Sequence, residues 1–407
     1  MDMASNKPMD IVDIGRFAGR PDLLVAEAVD LAWLNARASA WDRLIGEAAE
    51  AAPFHGRLVL NAHLRHGLTP EPRFLIVRRG ERLLALLAYN AGSRLGWRGR
   101  ASVAWHSPYT PTTMPLVAAD AVGPAVSALL DGMAGLPGEV WRFPQAVLDD
   151  IVGTALRAEL GRRGWANVIL VSHERPVFDR RTGENGPPSA SRQRDLRRRL
   201  RRIAEAGTVE FRTVTAGAEL RWAVDAFLAL EAAGWKGRRG TALADRPETT
   251  AFARDLFAGI AAGGNGPVQA RHDLMLLDGK PIAASLALLC NRTAFLWKAA
   301  YDESLARYAP GILLEDAIIR AMHETGFADR LNSAAPAGSV LEQLYPDREL
   351  IGDLVVATTP DLTSARLAAL ARSEMMRRRV KQRVAGAYWA WKDRRSTRAS
   401  GRESVEA

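Results

Sequence analysis

The chain has 407 residues, 48% hydrophobic and 25% charged, with a formal net charge of +9. That balance excludes a disordered or fibrous chain, and the length predicts two domains or one large one. The single cysteine, Cys290, excludes an intramolecular disulfide and a cysteine metal cluster, and the positive surplus favours anionic partners: nucleic acid, a lipid surface or phosphorylated small molecules.

Residues 1–20 read as a loose lead-in, without the basic start and apolar core of a signal peptide. Helical periodicity runs through 31–51, and a second helix is expected over 56–68. "RFLIVRRGERLLALLAYN" (73–90) reads as a hairpin about Arg79-Gly80. Strands are expected at 101–106, 139–143 and 167–172, with helical segments near 120–135 and 145–162. "FDRRTGENGPPSAS" (178–191) has a linker's composition. Then comes "SRQRDLRRRLRRIAEAG" (191–207), a helix with seven arginines between Arg192 and Arg202 and one apolar stripe, Leu196, Leu200 and Ile203.

The second half repeats the order of the first. A strand (208–214) and two helices (218–235 and 247–263) precede a hairpin about Asp278-Gly279, the stronger of the two turn signals. A strand (293–301) and a helix (311–326) follow. This repeat of element order predicts two similar α/β domains in tandem, at 21–177 and 192–360, joined by a linker at 178–191 and followed by a basic helical tail at 361–407. The tail's helix is expected over 364–395, with disorder beyond. No apolar run approaches the about eighteen residues that span a bilayer. The sequence therefore reads as cytoplasmic, with peripheral contact at the inner face of a membrane open through 364–395, where Trp389 and Trp391 stand beside many arginines.

The familiar catalytic signatures are absent: there is no G-x-S-x-G elbow, no P-loop and no G-x-G-x-x-G after a strand. "HETGF" (323–327) lacks the second histidine of a zinc motif, and no metal site is expected. Three stretches carry the chemistry. The arginine helix suits a nucleic acid, a phosphorylated ligand or plain solvation, and it lacks the aromatic residues that base stacking needs. In "LEAAGWKGRRGTAL" (230–243) a helix bearing Glu231 stops at Gly234. Trp235 and Lys236 then enter a basic loop that either closes over a polar substrate or is simply solvated. In "WKAAYDESLARYAPGILLEDAI" (297–318) a strand delivers Lys298, Tyr301 and Asp302, a loop holds Arg307 and Tyr308, and Pro310-Gly311 opens a helix whose free amides suit a pyrophosphate.

These stretches together resemble the acetyltransferase-like branch of the GNAT superfamily that includes CelD-type cellulose-biosynthesis proteins and is related to the Fem peptidoglycan aminoacyltransferases. The matching residues are Leu196 to Gly207, Phe227 to Leu243 and Lys298 to Leu314, and the resemblance covers roughly 190–350. It implies two tandem GNAT-like domains, each a mixed sheet flanked by helices. It also implies acyl transfer from acyl-CoA, as co-substrate rather than tightly bound cofactor, to an amine or hydroxyl. The donor's pyrophosphate would sit on Arg307, Tyr308, Gly311 and Ile312. Gly311 fits the usual GNAT loop, while Tyr308 stands where Gln or Arg is expected and Leu313 where a small residue is expected. The implied catalytic set is Glu231 or Asp302 as base, Lys298 or Lys236 on the oxyanion, and Tyr301 or Tyr308 as acid; Trp235, Lys236 and Arg198 would contact substrate. An acceptor sugar in envelope or exopolysaccharide synthesis follows from family association. Two rivals stand beside this reading. One is a Fem-like transferase using aminoacyl-tRNA, or a tRNA-binding protein; the other is a non-catalytic scaffold on a membrane.

Overall fold

The computed structural model describes residues 23–182, 189–263 and 266–403, with side chains described through Val384. The expected lead-in, residues 183–188 of the expected linker, and the side chains of Trp389 and Trp391 lie outside the described residues.

The first half runs β1 (Leu24–Val29), α1 (Leu31–Asn35), α2 (Ala38–Glu47), α3 (Arg57–Arg65), β2 (Arg73–Arg79), β3 (Arg82–Leu95), β4 (Gly99–Ala104), β5 (Leu116–Val117), α4 (Val122–Gly135), β6 (Val140–Val147), α5 (Ile151–Arg162) and β7 (Asn167–Asp179). The second runs α6 (Ala190–Ala204), β8 (Val209–Val214), α7 (Glu219–Ala233), α8 (Trp235–Arg238), α9 (Pro247–Ala262), β9 (Gln269–Leu277), β10 (Lys280–Cys290), β11 (Thr293–Tyr301), α10 (Pro310–Thr325), β12 (Arg330–Asn332), β13 (Asp347–Ala357) and α11 (Ser364–Glu403).

Local chemistry accounts for the boundaries. Asp30 and Asp150 cap α1 and α5 by accepting the amides of Trp33 and Gly153. Asp30 also ends β1, a half-buried edge strand that the periodicity leaves unread. Pro247 and Pro310 occupy the first turns of α9 and α10, where a missing N–H costs nothing. Asp278 and Gly279 take φ of 49° and 77°, the left-handed pair of a tight hairpin. Part of the expected linker is ordered structure: Phe178 and Asp179 finish β7, and the Asp179 carboxylate takes the Arg181 amide into a 3-10 turn. The C-terminal helix continues to Glu403, past the expected end at 395, through a stretch with no proline to stop it.

The described strands form one 13-stranded mixed sheet in the order β1-β2-β3-β4-β6-β13-β7-β12-β11-β10-β9-β8, with β5 beside β3. Helices flank it. The units expected at 21–177 and 192–360 therefore share a sheet, and they share it by exchange. β13, from the end of the chain, lies between β6 and β7 and is antiparallel to both. β7 in turn pairs with β12. Two joins are parallel, β4 with β6 and β11 with β12, and both are short: Ser102–Val103 and Thr293–Phe295. The largest apolar core runs through both halves, from Trp41, Phe74 and Trp141 to Phe227, Phe257 and Trp297. A second core, with Ile203, Met275, Leu313 and Tyr345, lies under α6 and α10.

The inserted strand sets a packing requirement. A Cβ on Gly352 of β13 would lie 2.6 Å from Leu148 Cδ1 and 3.3 Å from Ile169 Cγ2. Gly352→Val is expected to lower unfolding stability by about 1–3 kcal/mol in urea titrations, because neighbours on both sides must move.

Candidate active site

β11 is paired with β10 throughout but with β12 only as far as Phe295. From Leu296 onward its other edge is open. The register places Lys298 opposite Leu286 and Leu296 opposite Ala287, so Trp297 is the extra residue of a bulge. A bulge re-aims the side chains beside it. Trp297 Nε1 donates to the Tyr109 carbonyl at 3.1 Å, and Lys298 Nζ lies 5.3 Å from the Tyr109 ring centroid.

Glu231, near the end of α7, is buried, with its side chain 1% exposed. Its Oε1 accepts from Lys236 Nζ at 2.9 Å and lies 3.8 Å from Lys298 Nζ. Its Oε2 accepts the Leu243 amide at 2.8 Å. One carboxylate thus holds two ammonium groups and a backbone donor from three separate segments. Burial holds Lys298 below its ordinary 10.5; Glu231 opposes that shift and Lys236 adds to it.

The chain resumes a helix at Trp235, where the sequence pattern predicts a loop. Glu303 accepts both the Trp235 amide and an Arg238 guanidinium N–H, each at 2.6 Å, and so caps α8. Gly237 must be glycine, because a Cβ there would stand 1.8 Å from the Ala232 carbonyl oxygen. Glu231, Trp235, Lys236 and Tyr301 line one small cavity of ≈ 50 Å³.

Asp302 accepts the Ser304 amide at 2.9 Å and its hydroxyl at 2.7 Å, which opens a 3-10 turn over Glu303–Tyr308. The Arg307 guanidinium sits 4.6 Å from the Tyr308 ring centroid. Ala309 takes the left-handed conformation, φ 53° and ψ 56°, and turns the chain into α10. Pro310 has no N–H, so Gly311 presents the first amide of that helix. A Cβ on Gly311 would lie 3.5 Å from Tyr301 Cδ1, so Tyr301 joins the lysine cluster to the helix start. Ile312 packs on the second core. The arginine helix reaches the same loop through Arg199, whose Nη1 donates to the Arg307 carbonyl at 3.4 Å. Arg198 itself bonds Asp195 at 2.6 Å.

Tyr109 and Trp297 escape sequence reasoning. Tyr109 lies in "HSPYTPTT" (106–113), a Pro/Thr-rich loop with no motif, and no spacing ties it to a strand in the other half. Both residues line a larger cavity of ≈ 680 Å³, which also takes in His106, Arg142, His173 and Arg378. It lies where β4 and β6 part, the first half's counterpart of the opening beside β11. On its wall Asp353 accepts from Arg142 at 2.8 and 2.9 Å and from Arg378 at 2.6 Å, two guanidiniums on one carboxylate. Burial first, then neighbouring arginines, hold His106 and His173 below their ordinary 6.5. The cavity thus carries guanidiniums that are already paired with carboxylates.

The depressed Lys298 makes a pH prediction. A lysine held below its unfolded value binds its proton less well in the folded state. The penalty is fully present below the folded pKa and is relieved as pH rises through it towards 10.5. Urea midpoints of the wild type should show this gain in stability with pH, and Lys298→Met should lack it.

Residues 190–332 match the acetyltransferase (GNAT) domain family. No curated protein matches the chain. Among solved structures, the fold is similar to FemX (TM-score 0.52, 10% identity, 81% of this chain and 96% of that one). It is also similar to the C-terminal DUF2156 domain of a proposed lysylphosphatidylglycerol synthetase from Agrobacterium fabrum (TM-score 0.50, 15% identity, 83% of this chain and 96% of that one). The chain thus has a GNAT-like mixed α/β fold, and the family match lies within residues 190–332.

Proposed function

We propose that the protein is a cytoplasmic acyltransferase that moves an acyl group, acetyl in the simplest case, from acyl-CoA to an amine or hydroxyl. The observation that carries this reading is the open outer edge of β11. Within the GNAT-matched region it sets Lys298 and Tyr301 between the buried Glu231–Lys236 pair and the start of α10. The unit at 192–360 takes the donor. The unit at 21–177 supplies Tyr109 and most of the ≈ 680 Å³ cavity, which takes the acceptor.

Direct transfer asks for three things: a proton removed from the acceptor, a stabilised oxyanion, and a proton for the leaving thiolate. Lys298, whose ammonium form burial disfavours, gives up its proton before the reaction and then accepts the acceptor's proton. The Lys236 ammonium, oriented by Glu231, stabilises the oxyanion as the new C–N or C–O bond forms. Tyr301 returns a proton to sulfur as the C–S bond breaks. Glu231 positions both lysines, and Asp302 fixes the turn that follows. The Gly311 amide, Arg307, Tyr308 and the wall at Ile312 hold the donor's pyrophosphate end, with Trp235 and Arg198 at the approaches. The polar cavity suits a polar acceptor such as a sugar, in keeping with the CelD-like resemblance and a role in envelope or exopolysaccharide synthesis.

A second reading has its own observation: Arg194, Arg197, Arg201 and Arg202 stand exposed on α6, beside the Arg307 loop, and would suit a polyanionic aminoacyl-tRNA donor. Calorimetry separates the two. Acyl-CoA should bind the wild type and fail to bind Gly311→Trp, whose side chain obstructs the phosphate approach. Lys298→Ala should then lower kcat by about 100-fold or more with little change in donor KM. No acyl-CoA binding, together with salt-sensitive tRNA binding lost in Arg197→Gln/Arg201→Gln, would replace the first reading with the second.

A further inference from the structure

The inner face of α11 lies on the sheet. Leu367 and Ala371 are buried there, and Glu374 accepts the Gly96 amide at 2.8 Å along with the guanidiniums of Arg377 and Arg378. Its outer face is different. Met376, Val380 and Val384 follow one another at four-residue steps, 56%, 41% and 64% exposed. β7 runs beside the helix, with Val168 and Leu170 packed, like Leu370, against the cluster that holds Leu367. Between helix and strand runs a groove of ≈ 500 Å³ lined by Ile169, Leu170, Met375 and Met376 and flanked by Arg372 and Arg379. From residue 375 to 392 the sequence has six lysines and arginines and no acidic residue.

We propose that this face docks on an anionic lipid surface. An exposed apolar stripe along a groove flanked by arginines suits a partner that offers both an apolar layer and anions. A second copy is the poorer occupant, because a two-fold contact would set one basic helix against its twin. A bilayer with anionic headgroups answers both features, taking the apolar stripe at the acyl boundary and Arg372, Arg379 and Arg383 at the phosphates. No helix among the described residues is long and apolar enough to cross a membrane, so the contact is interfacial. Arg378 of α11 also lines the ≈ 680 Å³ cavity, so docking sets that cavity beside the headgroups. The inference stands on this surface alone and does not depend on acyl transfer.

Co-sedimentation of the full chain with phosphatidylcholine vesicles, with and without phosphatidylglycerol, is the test. The expected result is binding that requires phosphatidylglycerol and weakens with salt. It should fall about ten-fold or more in Met376→Glu/Val380→Glu and in Arg379→Gln/Arg383→Gln. These positions are exposed, so circular dichroism and melting should match the wild type. Absence of binding to phosphatidylglycerol vesicles, or binding that both variants retain, overturns the proposal. So does a dimer in light scattering that Met376→Glu/Val380→Glu dissociates, which would assign the face to a second copy.

Discussion

Glu349 is buried on β13 and takes its partners from two other strands. Its carboxylate accepts from Arg175 of β7 at 3.2 Å, and from Arg330 and Asn332 of β12 at 2.8 and 3.0 Å. Arg175 stands directly across the ladder from it. A buried carboxylate without these partners would be costly, and so would the arginine left behind. A slip of one residue in β13 would turn Glu349 to the other face of the sheet, so the network fixes the register of the inserted strand. Its influence runs further. Arg175 also donates to the Pro111 carbonyl at 2.6 Å, which anchors the loop that carries Tyr109 to Trp297 and Lys298. The candidate site in one half is thus positioned by a charge pair at the seam.

The legible parts of the fold are those governed by neighbours in sequence. The Asp278-Gly279 turn, the prolines that open α9 and α10 and the apolar stripe of α6 each follow from a few adjacent side chains, and the structure has them where the pattern places them. The meeting of several candidate residues was legible in the same way. Glu231, Trp235, Lys236, Lys298 and Tyr301 come together because two motif-bearing segments meet, and each segment can be read alone. What could not be read depends on partners far along the chain. The insertion of β13, the bulge at Trp297 and the reach of Tyr109 are decided by cross-strand register and by a salt bridge between residues 175 and 349. Helix α8 was hidden for a related reason, since its cap, Glu303, lies 65 residues beyond Arg238.

The basic surplus divides into two kinds. Some arginines are consumed inside the fold: Arg142 and Arg378 by Asp353, Arg271 by Asp273, Arg175 and Arg330 by Glu349. Others stay outside, on α6 and on the outer face of α11. Counting charge along the chain cannot separate them, because the distinction lies in whether a carboxylate from another strand arrives beside each one. In α6 the single Asp195 ties down Arg198 and Arg199 and leaves the rest of the helix to whatever anion approaches the Arg307 loop.

The exchanged strand also has a consequence for how the protein is made. Synthesis delivers β6 and β7 long before β13, yet both strands wait for it as a hydrogen-bonding partner. Until residue 357 leaves the ribosome, the first half carries two open strand edges, the kind of surface that invites mispairing. Its sheet cannot close domain by domain in chain order. This pairing joins residues 140–177 to 347–357, and contacts so distant in sequence form slowly. The two halves therefore mature together, and the first cannot finish folding before the second exists.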